Sequence, residues 1–175
     1  MTSSSVVAKS IKMKELLTVG LGLVLASVAL ANPWGGPGVC VRFHNMWSDE
    51  QLTTSWKTHD RDRRHVSTSS GEGDNWVITK DERYPDHYKI KHKGNGEELF
   101  ESVQNYKGNY VFTWIPKTLI NDGGASWNIM WVHDNVHKLK NKKLGHCLWN
   151  VDGKIGAYPN CDNKQYEWKI LKVVC

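Results

Sequence analysis

The chain lacks the short motifs that mark common metal and catalytic centres. It has no Cys-x-x-Cys, no His-Glu-x-x-His and no Gly-x-Ser-x-Gly segment. The first spacing is typical of structural zinc sites, the second of zinc proteases, and the third of hydrolases with a serine nucleophile. The eight histidines form no other pattern of metal ligands. We therefore expect a protein that is not an enzyme and that uses no metal and no cofactor.

Long apolar runs are also missing beyond residue 31. The one run before it, at 16–30, has about 15 residues, fewer than the roughly 20 that a membrane-spanning helix needs. Three lysines precede this run, and it ends in Ala-Leu-Ala, a small-residue pattern at which secretory signal peptides are cleaved. These features predict a signal peptide over 1–31, a short leader over 32–39 and a secreted, extracellular protein without a membrane span.

The charge of the mature part is small. Residues 1–31 contain three Lys and one Glu, so their removal lowers the net charge from +5 to +3. An exported chain with so little excess charge is not expected to bind nucleic acid. Two basic clusters remain, one at 61–65 and a basic patch of four lysines. The patch would attract a sulfated polysaccharide or acidic lipids, or it forms an ordinary wet face of a strand. Its members are Lys138, Lys140, Lys142 and Lys143.

Three similar blocks organise the mature chain, and each ends in Trp-x-Ile, at Trp76, Trp127 and Trp168. Two apolar positions in each block recur after 47 and then 49 residues, and a third recurs after 45 and then 44. This common register predicts a single domain over 40–175 with three repeats, at about 40–78, 86–129 and 136–170. The three series are Phe43, Ile90 and Leu139; Leu52, Leu99 and Leu148; and Val66, Val111 and Ile155.

The segments inside each repeat have the character of β-strands. They are short, many alternate apolar and polar residues, and Asn, Asp and Gly turns such as 94–96 and 122–124 separate them. The mature chain has no stretch with a helical apolar period. Four strands in each repeat predict an all-β domain of about twelve strands.

All four cysteines lie in the mature part, and an even number in an exported chain indicates two disulfides. Cys40 opens the first repeat and Cys175 ends the chain, whereas Cys147 and Cys161 both lie inside the third repeat. Among the three possible pairings, we therefore predict Cys40 with Cys175 and Cys147 with Cys161.

Three four-stranded units, each with an aromatic residue in its last strand, resemble a β-trefoil. The third repeat resembles the ricin-type lectin repeat most closely. It shows Cys147-Leu148-Trp149, an apolar strand that ends in Tyr158, Cys161-Asp162, and then Tyr166-Glu167-Trp168. The trefoil resemblance implies that the first and last strands are neighbours, in agreement with the predicted Cys40–Cys175 bridge.

Two features of the lectin repeat are not kept. Trp149 stands where the family has a sugar-binding Asp after Cys-Leu. The Gln that the family places two residues before its Trp is Asp74, Ala125 or Tyr166 in the three repeats. The resemblance therefore implies the trefoil fold more strongly than the galactose pocket. A lipocalin is the alternative fold, but its single barrel would give no reason for the common register.

The third repeat combines aromatic and polar residues as a sugar site requires. Sugars stack their flat C–H faces on aromatic rings, and polar side chains bind their hydroxyl groups. In the alternative interpretation, the aromatic residues only pack over the Cys147–Cys161 bridge and the polar ones form turns. A weaker site in the second repeat would be Asn95, Glu97, Tyr106, Asn109 and Trp114. The candidate carbohydrate site is Trp149, Asp152, Tyr158, Asn160, Asp162 and Gln165.

These observations predict a secreted, lectin-like protein whose partners are glycans or a glycosylated surface. A proteinase inhibitor of the trefoil class is one alternative, which would need a rigid exposed loop such as 67–75 or 117–126. A growth-factor-like protein that binds sulfated glycans and an extracellular protein is another, and its binding would fall steeply with salt.

Overall fold

The computed structural model describes residue 34 and the ranges 38–104 and 111–175. The predicted signal peptide and most of the leader lie outside the described residues, as do Tyr106 and Asn109 of the weaker second-repeat site. The described residues form twelve strands and one 3-10 helix, Lys164–Tyr166. The strands are β1 (Val39–Asn45), β2 (Gln51–Thr58), β3 (Arg63–Ser69), β4 (Trp76–Lys80), β5 (Tyr88–His92), β6 (Glu98–Glu101), β7 (Val111–Trp114), β8 (Trp127–His133), β9 (Val136–Asn141), β10 (Cys147–Val151), β11 (Lys154–Tyr158) and β12 (Trp168–Lys172).

Six of the strands close into a barrel. β1 pairs with β4, β4 with β5, β5 with β8, β8 with β9, β9 with β12, and β12 returns to β1, all antiparallel. The other six form one hairpin in each repeat, namely β2–β3, β6–β7 and β10–β11. This is a β-trefoil with three pseudo-equivalent four-stranded repeats, as the sequence predicts. The lipocalin alternative is wrong.

The recurring apolar residues occupy the same strand in each repeat and fill the core. The first series lies on β1, β5 and β9, the second on β2, β6 and β10, and the third on β3, β7 and β11. Every member is buried except Ile155, which is partly buried and packs against the same cluster. Burial of this kind is the main stabilising term of a small all-β domain. The threefold register of the sequence is therefore the register of the core.

The Trp residues of the three Trp-x-Ile segments join the hairpins to the barrel. Each indole ring is fully buried, and each N–H donates to the backbone carbonyl of the Leu in the second strand of its own repeat. A buried indole needs such an acceptor, because an unpaired donor would be costly. The Nε1–O distances are 3.3 Å for Trp76 to Leu52, 3.0 Å for Trp127 to Leu99 and 3.1 Å for Trp168 to Leu148.

Both predicted disulfides are confirmed. Cys40 is bonded to Cys175, with the Cα atoms 5.4 Å apart, and Cys147 to Cys161, with the Cα atoms 5.6 Å apart. The first bridge lies where the first and last strands meet, and the Val173 N–H donates to the Cys40 carbonyl at 3.0 Å beside it. The second bridge joins β10 to the loop after β11.

One of the two connections proposed as inhibitor loops is shorter than predicted. Ser67 and Ser69 belong to β3, where they pair with Thr53 and Gln51 of β2. The prediction that this loop begins at Ser67 is wrong, because β-branched and hydroxyl residues fit a strand once a partner strand is available. Within the described ranges, the structure contains no helix that could span a membrane.

Candidate functional site

Two aromatic rings of the third repeat meet at the outer surface of its hairpin. Trp149 lies on β10 and Tyr158 ends β11. Their ring centroids are 5.2 Å apart and their planes are inclined by 76°. This edge-to-face arrangement is the one that the charge distribution of aromatic rings favours. Both side chains are only half-buried, so the pair forms part of the surface rather than part of the core.

Gly156 explains why Tyr158 can lie where it does. It pairs with Trp149 across the hairpin, and a Cβ atom built on it would come within 2.9 Å of Cε2 of Tyr158. Any larger residue would therefore push the phenol ring away. The Gly-Ala-Tyr sequence of β11 thus positions the aromatic pair locally.

The aromatic pair borders an open concavity of about 420 Å³, which we call the third-repeat concavity. Its lining includes three of the predicted site residues, Trp149, Tyr158 and Asn160. Pro159 and Tyr166 complete the lining and were not predicted as site residues. Tyr166 stands two residues before Trp168, where the lectin repeat has Gln. This replacement by an aromatic residue was the signal in the sequence that could have identified Tyr166 as a site residue.

The other three predicted residues lie outside this lining. Asp152 forms the tip of the β10–β11 turn with a positive φ of 52°, and its side chain is exposed. Asp162 follows Asn160 in the next loop, where its backbone N–H donates to the Asn160 Oδ1 at 2.8 Å. Gln165 lies in the 3-10 helix and accepts a hydrogen bond through its backbone carbonyl. Asp162 and Gln165 thus belong to the connection between β11 and β12 and are not part of the lining.

The lining of the third-repeat concavity contains no charged side chain and includes two phenol side chains, Tyr158 and Tyr166. Burial raises the pKa of Tyr166, and the neighbouring Tyr158 and Asp162 raise it further. The phenol of Tyr166 therefore stays protonated and can both donate and accept a hydrogen bond. An apolar wall with a few polar groups is the usual composition of a small-molecule site.

The second repeat carries the same kind of aromatic pair. Phe100 and Trp114 stand in the strands that correspond to β10 and β11, with their centroids 5.5 Å apart and their planes at 84°. They line a cleft of about 530 Å³, the second-repeat cleft, together with charged residues that include Arg63, Asp122 and Lys143. The first repeat has Thr53 and Ser69 at the two positions. Trp114 was predicted from the sequence as a site residue, but Phe100 was missed. Spacing along the chain does not show that these two rings meet.

The remaining residues of the weaker second-repeat site have structural contacts. Glu97 is buried and accepts hydrogen bonds from the Arg64 guanidinium and, at 2.5 Å, from the Thr113 hydroxyl. Asn95 accepts the backbone N–H of Glu97 through its side chain. These contacts occupy both polar side chains within the protein.

Most of the basic side chains in the two predicted basic clusters contact an acidic side chain or an aromatic ring. Lys143 forms an ion pair with Asp122, Lys138 lies 4.0 Å from Glu167, and Lys142 lies over the Tyr84 ring. Lys140 is exposed on β9. In the other basic cluster, Arg61 pairs with Asp62, Arg63 with Asp60, and Arg64 with Glu97. The hydrogen bond from Arg63 lowers the pKa of Asp60 to about 2.

Among the described residues there is no group of three His, Cys, Asp or Glu side chains that could hold a metal ion.

Comparisons with known proteins agree with the fold and point to one family. Neither a protein-family model nor a curated protein matches the chain. Among solved structures, the designed threefold-symmetric protein ThreeFoil is similar over 77% of this chain and 99% of its own, at 14% identity and a TM-score of 0.65. SeviL, solved bound to the asialo-GM1 saccharide, is similar over 79% of this chain and all of its own (100%), at 16% identity and a TM-score of 0.60.

A salivary protein from Culex quinquefasciatus is much more similar in sequence. It is 43% identical to this chain, the match covers 78% of this chain and 95% of that protein, and the TM-score is 0.73. That protein is a member of the cysteine and tryptophan-rich (CWRC) family. Identity at this level over nearly the whole relative shows common membership, and the chain therefore belongs to the cysteine and tryptophan-rich (CWRC) family.

Proposed function

We propose that the protein is a secreted, lectin-like binding protein and that the third-repeat concavity binds a neutral sugar. The observation that carries this proposal is the half-exposed Trp149–Tyr158 pair, which forms an aromatic wall beside Asn160 and Tyr166. Two rings that met only to fill the core would be buried, as Trp76, Trp127 and Trp168 are.

The chemistry of this wall suits a sugar. Pyranose rings have an apolar C–H face that an indole or phenol ring can cover, and their hydroxyl groups need donors and acceptors at the edge. The third-repeat concavity supplies both, and its lining contains no ionised side chain. Binding should therefore depend only weakly on ionic strength. The two disulfides and the salivary relative support export of the protein.

A glycan array tests this proposal. The oxidised protein over residues 32–175 is applied at about 0.05 M and about 0.5 M NaCl, beside Trp149→Ala and the control Trp131→Ala. Trp131 is a suitable control because it is 70% exposed and lines a different concavity. We expect binding of neutral glycans at both salt concentrations, reduced at least about tenfold by Trp149→Ala and unchanged by Trp131→Ala.

Two results would contradict the proposal. Binding of sulfated glycans alone, and only at low salt, would favour the charge-driven alternative. The internal pairing of the basic side chains gives that alternative less support, since their charge is already partly neutralised. No binding of any glycan would rule out the lectin function.

A specific loop geometry favours proteinase inhibition as the second candidate. Leu119 is 68% exposed, while the loop around it is fixed from two sides. The Trp114 Nε1 donates to the Thr118 hydroxyl at 2.8 Å, and the Lys89 Nζ donates to the Ile120 carbonyl at 2.9 Å. A loop held in place before binding loses less entropy in a protease cleft. A protease panel tests this candidate: Leu119→Ala should weaken any inhibition, and Trp149→Ala should not.

A further inference from the structure

Trp47 is a large aromatic residue that the core does not use. It lies in the turn between β1 and β2, and 55% of its surface is exposed. Single exposed apolar residues are ordinary on protein surfaces, so exposure alone says little about Trp47. Its position relative to the third-repeat concavity is the informative property.

The turn that carries Trp47 is fixed to one wall of the third-repeat concavity. The Asn45 Oδ1 accepts the backbone N–H of Trp47 at 3.1 Å, which sets the shape of the turn. The Asn45 Nδ2 donates to the Gln165 carbonyl at 3.0 Å. The Met46 N–H donates to the Glu167 carbonyl at 2.9 Å. The segment 165–167 contains Tyr166, so the turn lies directly beside this wall.

The same turn is also hydrogen-bonded to β10. The Asn150 Nδ2 donates to the Ser48 hydroxyl at 2.6 Å. Asn150 is buried and follows Trp149 directly in β10, so the two side chains point to opposite faces of this strand. Hydrogen bonds thus hold the two neighbours of Trp47 in place, Met46 against the segment that carries Tyr166 and Ser48 against β10.

The pseudo-threefold symmetry provides an independent argument. Asn141 corresponds to Asn45, and the Lys142 N–H donates to the Ser126 carbonyl at 2.8 Å just as Met46 does to Glu167. The residue that then corresponds to Trp47 is Lys143. Lys143 lines the second-repeat cleft, which contains the equivalent aromatic pair. Trp47 lies outside the lining of the third-repeat concavity, and the pseudo-threefold correspondence assigns to it the position that Lys143 has at the second-repeat cleft.

From these contacts we infer that Trp47 is a second sugar-stacking surface beside the third-repeat concavity, and that the site takes a neutral oligosaccharide rather than a single sugar. This inference rests on the proposed function. One sugar unit occupies the Trp149–Tyr158 wall, and the next lies against the exposed indole of Trp47. In the second-repeat cleft, the Lys143–Asp122 ion pair takes the place of this aromatic surface, so we expect the oligosaccharide to prefer the third repeat.

The length of the bound glycan distinguishes the two surfaces. An array that carries mono-, di-, tri- and tetrasaccharides of the galactose, glucose, mannose and N-acetylglucosamine series is probed with four proteins. These are the unsubstituted mature protein, Trp47→Ala, Trp149→Ala and the control Trp131→Ala. The unsubstituted protein should bind the tetrasaccharide of its preferred series about tenfold more tightly than the monosaccharide. Trp47→Ala should lose this difference and keep monosaccharide binding, while Trp149→Ala should lose both.

Each outcome decides one of the two claims. If the unsubstituted protein binds mono- and tetrasaccharides equally, or if Trp47→Ala keeps the length dependence, the role of Trp47 is refuted and the lectin function stands. If Trp131→Ala removes the length dependence, the extended site lies at the other concavity and the inference is wrong. If no neutral glycan binds, the proposed function fails, and the inference fails with it. A circular dichroism spectrum of Trp47→Ala equal to that of the parent protein excludes misfolding as the cause.

Discussion

Removal of the Cys40–Cys175 bridge should destabilise the protein more than removal of the Cys147–Cys161 bridge. The first closes a loop with a sequence separation of 135 residues and the second a loop with a separation of 14. In the chain-entropy description, the unfolded state gains freedom worth about 5 kcal/mol in the first case and about 3 kcal/mol in the second. The expected difference between the two variants is therefore about 2 kcal/mol in the free energy of unfolding.

The two disulfides have similar surroundings, so the two variants can be compared directly. Each bridge joins one buried cysteine, Cys40 or Cys147, to a more accessible one, Cys175 or Cys161. Replacement by alanine thus removes similar amounts of buried sulfur, and the packing losses nearly cancel. Urea unfolding of Cys40→Ala/Cys175→Ala and Cys147→Ala/Cys161→Ala measures the two free energies directly. An equal or larger loss for the second variant would refute the assignment of the effect to loop length.

Three further predictions concern the core, the site and the pH response. Trp127→Phe removes the indole N–H that donates to the Leu99 carbonyl and should lower the free energy of unfolding by about 2 kcal/mol, which urea denaturation measures; a loss near zero would contradict it. Gly156→Ala should displace the Tyr158 ring and weaken glycan binding severalfold at a stability cost of about 1 kcal/mol; unchanged binding on the array would show that the ring position is unimportant. Burial lowers the pKa of His137 below 6.5, so the unfolded chain takes up the proton first and stability should fall as the pH drops from about 7 to 5. The melting temperature of His137→Gln should decline less over this range, and an equal decline would assign the effect elsewhere.

The fold was predictable because the apolar residues of the core recur at a common spacing in the three repeats. Phe43, Ile90 and Leu139 recur in register, since each must reach the same depth of the core from an equivalent strand. The disulfide pairing followed from the same symmetry, because the first and last strands of a closed barrel are neighbours. Only the local details of loops, such as the start of the connection after β3, depended on pairings that the sequence does not state.

The candidate site was predictable only within one hairpin. Trp149 and Tyr158 lie on adjacent strands, and so their contact follows from local pairing. Trp47 lies in the first repeat, and hydrogen bonds between the first and third repeats bring its turn to the segment 165–167, which spacing along the chain does not show. The partners of the basic patch were not predictable from the sequence, because ion pairs such as Lys143–Asp122 form only in the folded chain.

The most direct test of the account follows the indole N–H signals of the tryptophans by nitrogen-15 NMR during titration with a neutral tetrasaccharide. The nine tryptophans are distributed over the barrel, the hairpins and the turns, so each indole signal reports binding at a different place. We predict that the Trp149 signal moves most and Trp47 next, while the buried Trp76, Trp127 and Trp168 and the exposed Trp131 stay in place. A Trp149 signal that remains fixed while the sugar binds, or a titration that moves none of the signals, would contradict a carbohydrate site in the third repeat.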